Sequence, residues 1–251
     1  MDLSGLGIDG LPPGSRVAVL SYLGSFCPIT LGHAACIVQA QRVLCGQAPP
    51  LGGVSFSPYS ACVCCVSVNS DRYVTDKLAK LGSASLSKDQ RLHLCALALK
   101  AYPSIRLEEP RQFMSELKRC FPRLEFTLWF LNGADDVVKH KKWLASTTDQ
   151  RFITIGRGSD TKKVLDGIKA AGTAPDHCLV APETSVASSS DARAALLAGD
   201  TVLANSLLHP DVADWCWSDG PYRRVEARAA APSLASELLP LLCCGNRTRD
   251  Q

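Results

Sequence analysis

The stretch "RVAVLSYLGSFCPITLGHAACIVQAQRVL" (Arg16 to Leu44) decides the fold. Its opening apolar run, Arg16 to Leu20, reads as a buried strand. Its close, Ala34 to Leu44, carries apolar residues at helical spacing. Between them "GSFCPITLGH" (Gly24 to His33) holds two glycines, a proline and a terminal histidine. The whole reads as strand, glycine-bearing turn and helix, with an imidazole at the helix start.

The alternation continues downstream. "ACVCCVSV" (Ala61 to Val68), "IRLEE", "EFTLWFLNG" (Glu125 to Gly133), "RFITIG" and "HCLVAP" read as strands. "SKDQRLHLCALALKAY" (Ser87 to Tyr102) opens on a serine cap and continues as an amphipathic helix. "SELKRCF", "DDVVKHKKWLA", "TKKVLDGIKAAG", "SSSDARAALLAGD" and "HPDVADWCW" also read as helical, while Gly46 to Ser60, rich in Gly, Pro and Ser, is a loop. This order predicts an α/β fold: a Rossmann-like, mostly parallel sheet with helices on both faces. Ligands of such sheets bind at the carboxyl ends of strands, near the point where strand order reverses. Residues 1–15 read as a flexible leader, 16–228 as one domain, and 229–251 as a tail able to form a short helix. No internal repeat is visible.

Composition excludes several classes. The 251 residues suffice for one large core. Lys and Arg number 27 against 24 acidic residues, and a net charge of +3 is too small to drive nucleic-acid or membrane binding. Aromatics are few, which counts against a stacking platform for single strands. No apolar run approaches the roughly 20 residues of a membrane span. The first residues lack signal-peptide character, and Asp2 stands where N-myristoylation needs glycine. Twelve cysteines without a signal peptide suggest a reducing compartment. The expected location is therefore intracellular, in cytoplasm or nucleus, with neither nucleic acid nor membrane as partner. Both a monomer and a homo-oligomer stay open. Cys62 and Cys65 have C-x-x-C spacing, readable as half a zinc site or, preferably, as small hydrophobes in a buried strand.

Three elements carry candidate chemistry. The turn before His33 offers helix N–H groups to a phosphate, with the imidazole as a further donor; the alternative is a histidine that caps or packs locally. It is neither a Walker loop nor a G-x-G-x-x-G turn. "SVASSSDAR" (Ser185 to Arg193) combines hydroxyls, a helix start and an arginine one turn in, which suits phosphate; the alternative is an ordinary serine cap and a surface arginine. "NGADD" (Asn132 to Asp136) follows the most apolar strand, where glycine admits a close ligand and Asp135 can bind a hydroxyl or a metal; the alternative is a plain strand-to-helix turn.

Together these segments resemble the HxGH nucleotidyltransferase superfamily, and within it the nicotinamide-nucleotide adenylyltransferases. "GSFCPITLGH" is similar to G-[ST]-F-x-P-[HIT]-x-x-x-H, "SSSDAR" to I-S-S-T-x-x-R and "GADD" to G-A-D-L. "VSVNSDRY" (Val66 to Tyr73) resembles I-S-P-V-x-D-x-Y, "ITIGRG" (Ile153 to Gly158) a strand followed by T-R-x-G, and "HPDVADWC" (His209 to Cys216) V-P-D-x-V-x-x-Y-I. The motifs run in order from about residue 16 to residue 217.

The resemblance implies transfer of the adenylyl group of ATP to nicotinamide or nicotinate mononucleotide, with release of pyrophosphate, in NAD biosynthesis. It implies His33 and Arg193 as the catalytic pair. Gly24, Ser25, Phe26, Thr30, His33, Gly133, Asp135, Ser189, Ser190 and Arg193 would bind ATP, and Lys77, Trp143 and Arg157 the mononucleotide. Magnesium would arrive with ATP, held by phosphates and water. The chain departs from the pattern at Cys27, where the family has Asn or Asp, and at Pro110, where it has a stacking tryptophan. Ser190 stands where the family has threonine, which keeps the hydroxyl. Another adenylyl- or cytidylyltransferase, such as a pantetheine-phosphate adenylyltransferase, shares His33 and Arg193. A non-enzymatic nucleotide-binding protein is the reading from a different class.

Overall fold

Along the first strand, side chains go alternately to two interiors. Ala18 and Leu20 enter one core, and Val17 and Val19 the other. A strand buried on both faces needs neighbours on both edges and helices above and below. That is the architecture of the computed structural model, which describes residues 3–184 and 187–222.

The elements are β1 (Arg16–Gly24), α1 (Leu31–Leu44), β2 (Ala61–Val68), α2 (Asp71–Ala79), α3 (Lys88–Leu99), β3 (Ile105–Leu107), α4 (Pro110–Cys120) and β4 (Glu125–Gly133). They continue with α5 (Ala134–His140), β5 (Arg151–Ile155), α6 (Gly158–Ala171), β6 (Cys178–Ala181), α7 (Ser189–Ala198), α8 (Thr201–Leu207) and α9 (Pro210–Ser218). The six strands form one sheet in the order β3-β2-β1-β4-β5-β6, and every pairing is parallel. The fold is thus α/β and Rossmann-like, with strand order reversing between β1 and β4. One face packs against α1, α3, α7, α8 and α9, the other against α4, α5 and α6. No helix among the described residues is long and apolar enough to cross a membrane.

Local chemistry sets several boundaries. Ser87 and Gln90 form a reciprocal capping box at the start of α3. Gly172 and Gly199 end α6 and α7 in the left-handed conformation. Pro110 occupies the first turn of α4, where its missing N–H is harmless.

Three expectations need correction. Residues 3–15 are no free leader: Leu3, Leu6 and Ile8 are buried with Val17, Val63, Phe113 and Leu117 beneath α4. The helix expected over "DDVVKHKKWLA" breaks at Lys141, whose φ of 47° ends α5, and a short 3-10 turn (Lys142–Ala145) follows. Two helices escaped the sequence reading, α2 and α8. The tail 229–251 lies outside the described residues.

The cysteine cluster follows strand geometry. On β2, Cys62 and Cys64 enter the α1 side, whereas Cys65 joins the α4 side. A spacing of three along a strand places side chains on opposite faces, so Cys62 and Cys65 cannot share a metal ion. Burial also raises all three thiol pKa values, that of Cys65 to about 12, which opposes thiolate formation.

Candidate active site

The carboxyl ends of β1, β4, β5 and β6 open onto one cavity of about 350 Å³. It lies where the strand order reverses, as a parallel sheet of this order dictates. Of the residues expected at the site, the structure brings Ser25, His33, Lys77, Gly133, Asp135, Arg157, Ser189, Ser190 and Arg193 to its wall. They come from segments spread across 169 positions of chain, counted from Ser25 to Arg193.

The turn after β1 is held in a conformation it would not choose alone. Phe26 has a φ of 42°, uncommon for a residue with a side chain. Its ring folds back over Gly24, where a Cβ would meet ring carbons at 2.5 Å. Donors from three directions tie the turn's carbonyls down. Arg91 Nη1 donates to Ser25 at 3.2 Å, Arg193 Nη1 to Cys27 at 2.9 Å, and Ser189 Oγ to Pro28 at 2.8 Å. Such multiple restraint is what a strained segment needs in order to persist. Cys27, the departure from the family pattern, accepts the Leu86 N–H on sulfur at 3.3 Å.

Gly24, Phe26 and Thr30 therefore shape the turn rather than line the cavity. Phe26 and Thr30 are almost fully buried. The Thr30 hydroxyl donates to the Ala187 carbonyl at 2.6 Å, which joins the start of α1 to the segment before α7. Gly32 permits this approach, since a Cβ there would sit 2.7 Å from the Ala187 oxygen. Gly32→Ala should push the two segments apart at a cost of about 1–3 kcal/mol. The expected result is a lower melting temperature together with weaker nucleotide binding, measured on the same sample.

His33 takes the capping role considered for it and also stands at the cavity wall. Its Nδ1 accepts the Thr30 backbone N–H at 3.0 Å, so it caps α1, and its ring lines the cavity. The Thr30 hydroxyl also lies 2.8 Å from Nδ1, so both polar groups of Thr30 hold that edge of the ring. Burial, with Arg157 and Lys77 adding repulsion, lowers the His33 pKa to about 4. At neutral pH the residue is an uncharged N–H donor.

The three serines before Arg193 divide the work. Ser188 caps α7 by accepting the Asp191 N–H, Ser189 holds the turn, and Ser190 accepts from Arg193 Nη2 at 3.2 Å. Arg193 is buried rather than on the surface, and its Nε–H meets no acceptor among the described residues. A guanidinium group in a cavity wall suits an anionic ligand. The N-terminal turns of α1 and α7 both reach this wall, through Gly32 and through Ser189 and Ser190. Their free N–H groups and dipoles favour negative charge there.

The far end of the cavity is more balanced. Arg157 pairs with Asp135 at 3.3 Å, and Glu183 accepts the Gly158 N–H at the start of α6. Lys77 reaches the wall from α2 and is exposed. Trp143 does not line the cavity. Its ring lies on Gly167 of α6, where a Cβ would meet it at 2.5 Å, and it packs with Val137 and Val164. The break at Lys141 turns it there. Tyr22 was missed, although it lies two residues past the opening apolar run and lines the cavity. Arg91, wholly buried, was missed because a helix-surface reading gives an arginine to solvent.

Among known proteins, no family model matches this chain and no curated protein matches it.

Proposed function

We propose that the cavity transfers the adenylyl group of ATP to a mononucleotide, nicotinamide or nicotinate mononucleotide, and releases pyrophosphate. One observation carries the proposal: His33, Ser190 and Arg193, with the starts of α1 and α7, converge on one wall with a spare buried guanidinium donor. The motif resemblance supports it independently. The acceptor's own 5′-phosphate attacks the α-phosphorus, the bond to the bridging oxygen breaks, and the electron pair leaves with pyrophosphate. The protein needs no nucleophile. It positions the two substrates and meets charge that grows on the departing phosphates.

In this mechanism Arg193 and the α7 start hold the β- and γ-phosphates, and neutral His33 donates its ring N–H. The Arg157–Asp135 pair, at the other end, faces the acceptor. Magnesium neutralises phosphate charge when bound with ATP. Among the described residues no group of three or more His, Cys, Asp or Glu side chains is placed to hold a metal ion, and the magnesium would be carried by the ATP phosphates.

The test is an acceptor screen with ATP and magnesium, reading pyrophosphate. Dinucleotide formed with either pyridine mononucleotide is the expected result. One observation favours a second acceptor class: no tryptophan lines the cavity, so the stacking face expected from Trp143 is missing. Turnover with phosphopantetheine or another phosphorylated alcohol, and none with the mononucleotides, would establish that class instead. ATP binding without turnover on any acceptor would leave a nucleotide-binding protein.

A further inference from the structure

At the opposite, amino-terminal end of the sheet lies a second cavity, of about 270 Å³. It arises because β5 starts late. β4 begins at Glu125, yet β5 joins it only at Trp129, opposite Arg151. The notch is closed by Arg16 and Arg151, the first residues of β1 and β5, and by Phe56 and Tyr59 from the connection before β2.

The hydrogen-bond count inside this notch does not close. Tyr59 is buried, and its phenol oxygen meets Trp129 Nε1 at 3.0 Å and Arg151 Nη1 at 3.1 Å. Indole and guanidinium nitrogens only donate, so the oxygen accepts both bonds. Its own proton then has no acceptor among the described residues. Arg16 lies over the Tyr59 ring at 4.6 Å and donates to the Ser57 carbonyl at 3.3 Å. It makes no ion pair among the described residues. Glu125, its register partner on β4, is exposed and outside the lining. The carboxylate that does line the notch, Asp176, is half exposed and stands 3.7 Å from Arg151. Two guanidinium groups and a hydroxyl proton thus share one half-exposed carboxylate, which pairs with Arg151 and not with Arg16. What the notch lacks is a second hydrogen-bond acceptor carrying negative charge.

We propose that this notch binds the oxyanion head, carboxylate or phosphoryl, of a small molecule between Arg16, Arg151 and the Tyr59 hydroxyl. Phe56 supplies an apolar wall for the rest of the ligand. The site is separate from the cleft, since it lies at the other ends of the same strands.

Inorganic phosphate and benzoate, each titrated at fixed ionic strength, test this by ligand-observed NMR. At least one should bind the wild-type chain. Arg16→Gln should weaken that binding about tenfold, the loss of one charge-assisted hydrogen bond. Tyr59→Phe should weaken it severalfold, and His33→Ala should leave it unchanged. Binding of phosphate alone assigns a phosphoryl head, and of benzoate alone a carboxylate. Arg16→Gln should also leave adenylyl transfer intact, and melting curves report folding; Arg16→Lys, which keeps the charge but not the fork, serves if the glutamine variant melts. No binding by either probe overturns the proposal. So does binding that Arg16→Gln and Tyr59→Phe leave untouched.

Discussion

His33→Ala should lower kcat for adenylyl transfer by about 10²–10³, the usual loss for one fixed donor at a site of developing charge. KM for ATP should move far less, because charge on the leaving phosphates grows mainly in the transition state. The substitution also removes the acceptor for the Thr30 N–H, so a structural effect must be separated. His33→Gln does this. A glutamine at this position can cap α1 in the same way and carries an amide donor. It should restore the melting temperature fully and kcat in part. Equal kcat for the alanine variant and the wild type would reduce His33 to its capping role. The pH profile adds a second check. With the His33 pKa near 4, its proton inventory is constant over pH 5–8, so kcat/KM should show no limb from this residue there. Stability should respond in the opposite region. As pH falls below about 6.5 the unfolded imidazole takes a proton that the folded one refuses, so the folded state loses stability down to about pH 4. Chemical denaturation at several pH values should show this slope in the wild type and less of it in His33→Gln.

Arg91→Met should cost about 2–6 kcal/mol of stability, although Arg91 lines neither the cleft nor the notch. Its side chain is wholly buried and donates to the Leu86 and Ser25 carbonyls at 3.1 and 3.2 Å. Methionine fills much of the stem's volume but leaves both oxygens without their donor, and each such loss is worth about 1–3 kcal/mol. The bond to Asp71 adds little, because that carboxylate is more than half exposed. The turn that carries Phe26 at positive φ then loses one of its three restraints, so KM for ATP should rise even where the protein remains folded. Denaturant melts and steady-state kinetics on one preparation measure both. A variant of normal stability and normal KM would mean that Arg193 and Ser189 hold the turn without help.

The sequence by itself determined the elements whose signal is local. Strands β2 and β4 run over the residues expected from their apolar composition, because a strand buried on both faces needs an unbroken apolar run and its ends are marked where that run stops. Ser87, Gly172 and Gly199 mark helix ends by side-chain and backbone chemistry that acts within four residues. The motifs also identified most of the cavity wall, since those residues sit at strand ends that any parallel sheet gathers together. Only the tertiary structure decided the rest. Helix α2 buries just Val74 and Leu78, and α8 just Ala204 and Leu207, too few to show a period in the sequence. Leu3, Leu6 and Ile8 have no regular pattern, and their burial depends on the open flank of the sheet beneath α4. Trp143 is drawn from the cavity by the bare backbone of Gly167, 24 residues further on. Arg91 lies on a helix that reads as amphipathic, and Arg193 reads as a phosphate ligand or a surface arginine; both are buried, because each finds backbone carbonyls of a distant turn to bond. Whether a polar group can be buried depends on the partner opposite it, and that partner is chosen by packing between segments far apart in the chain.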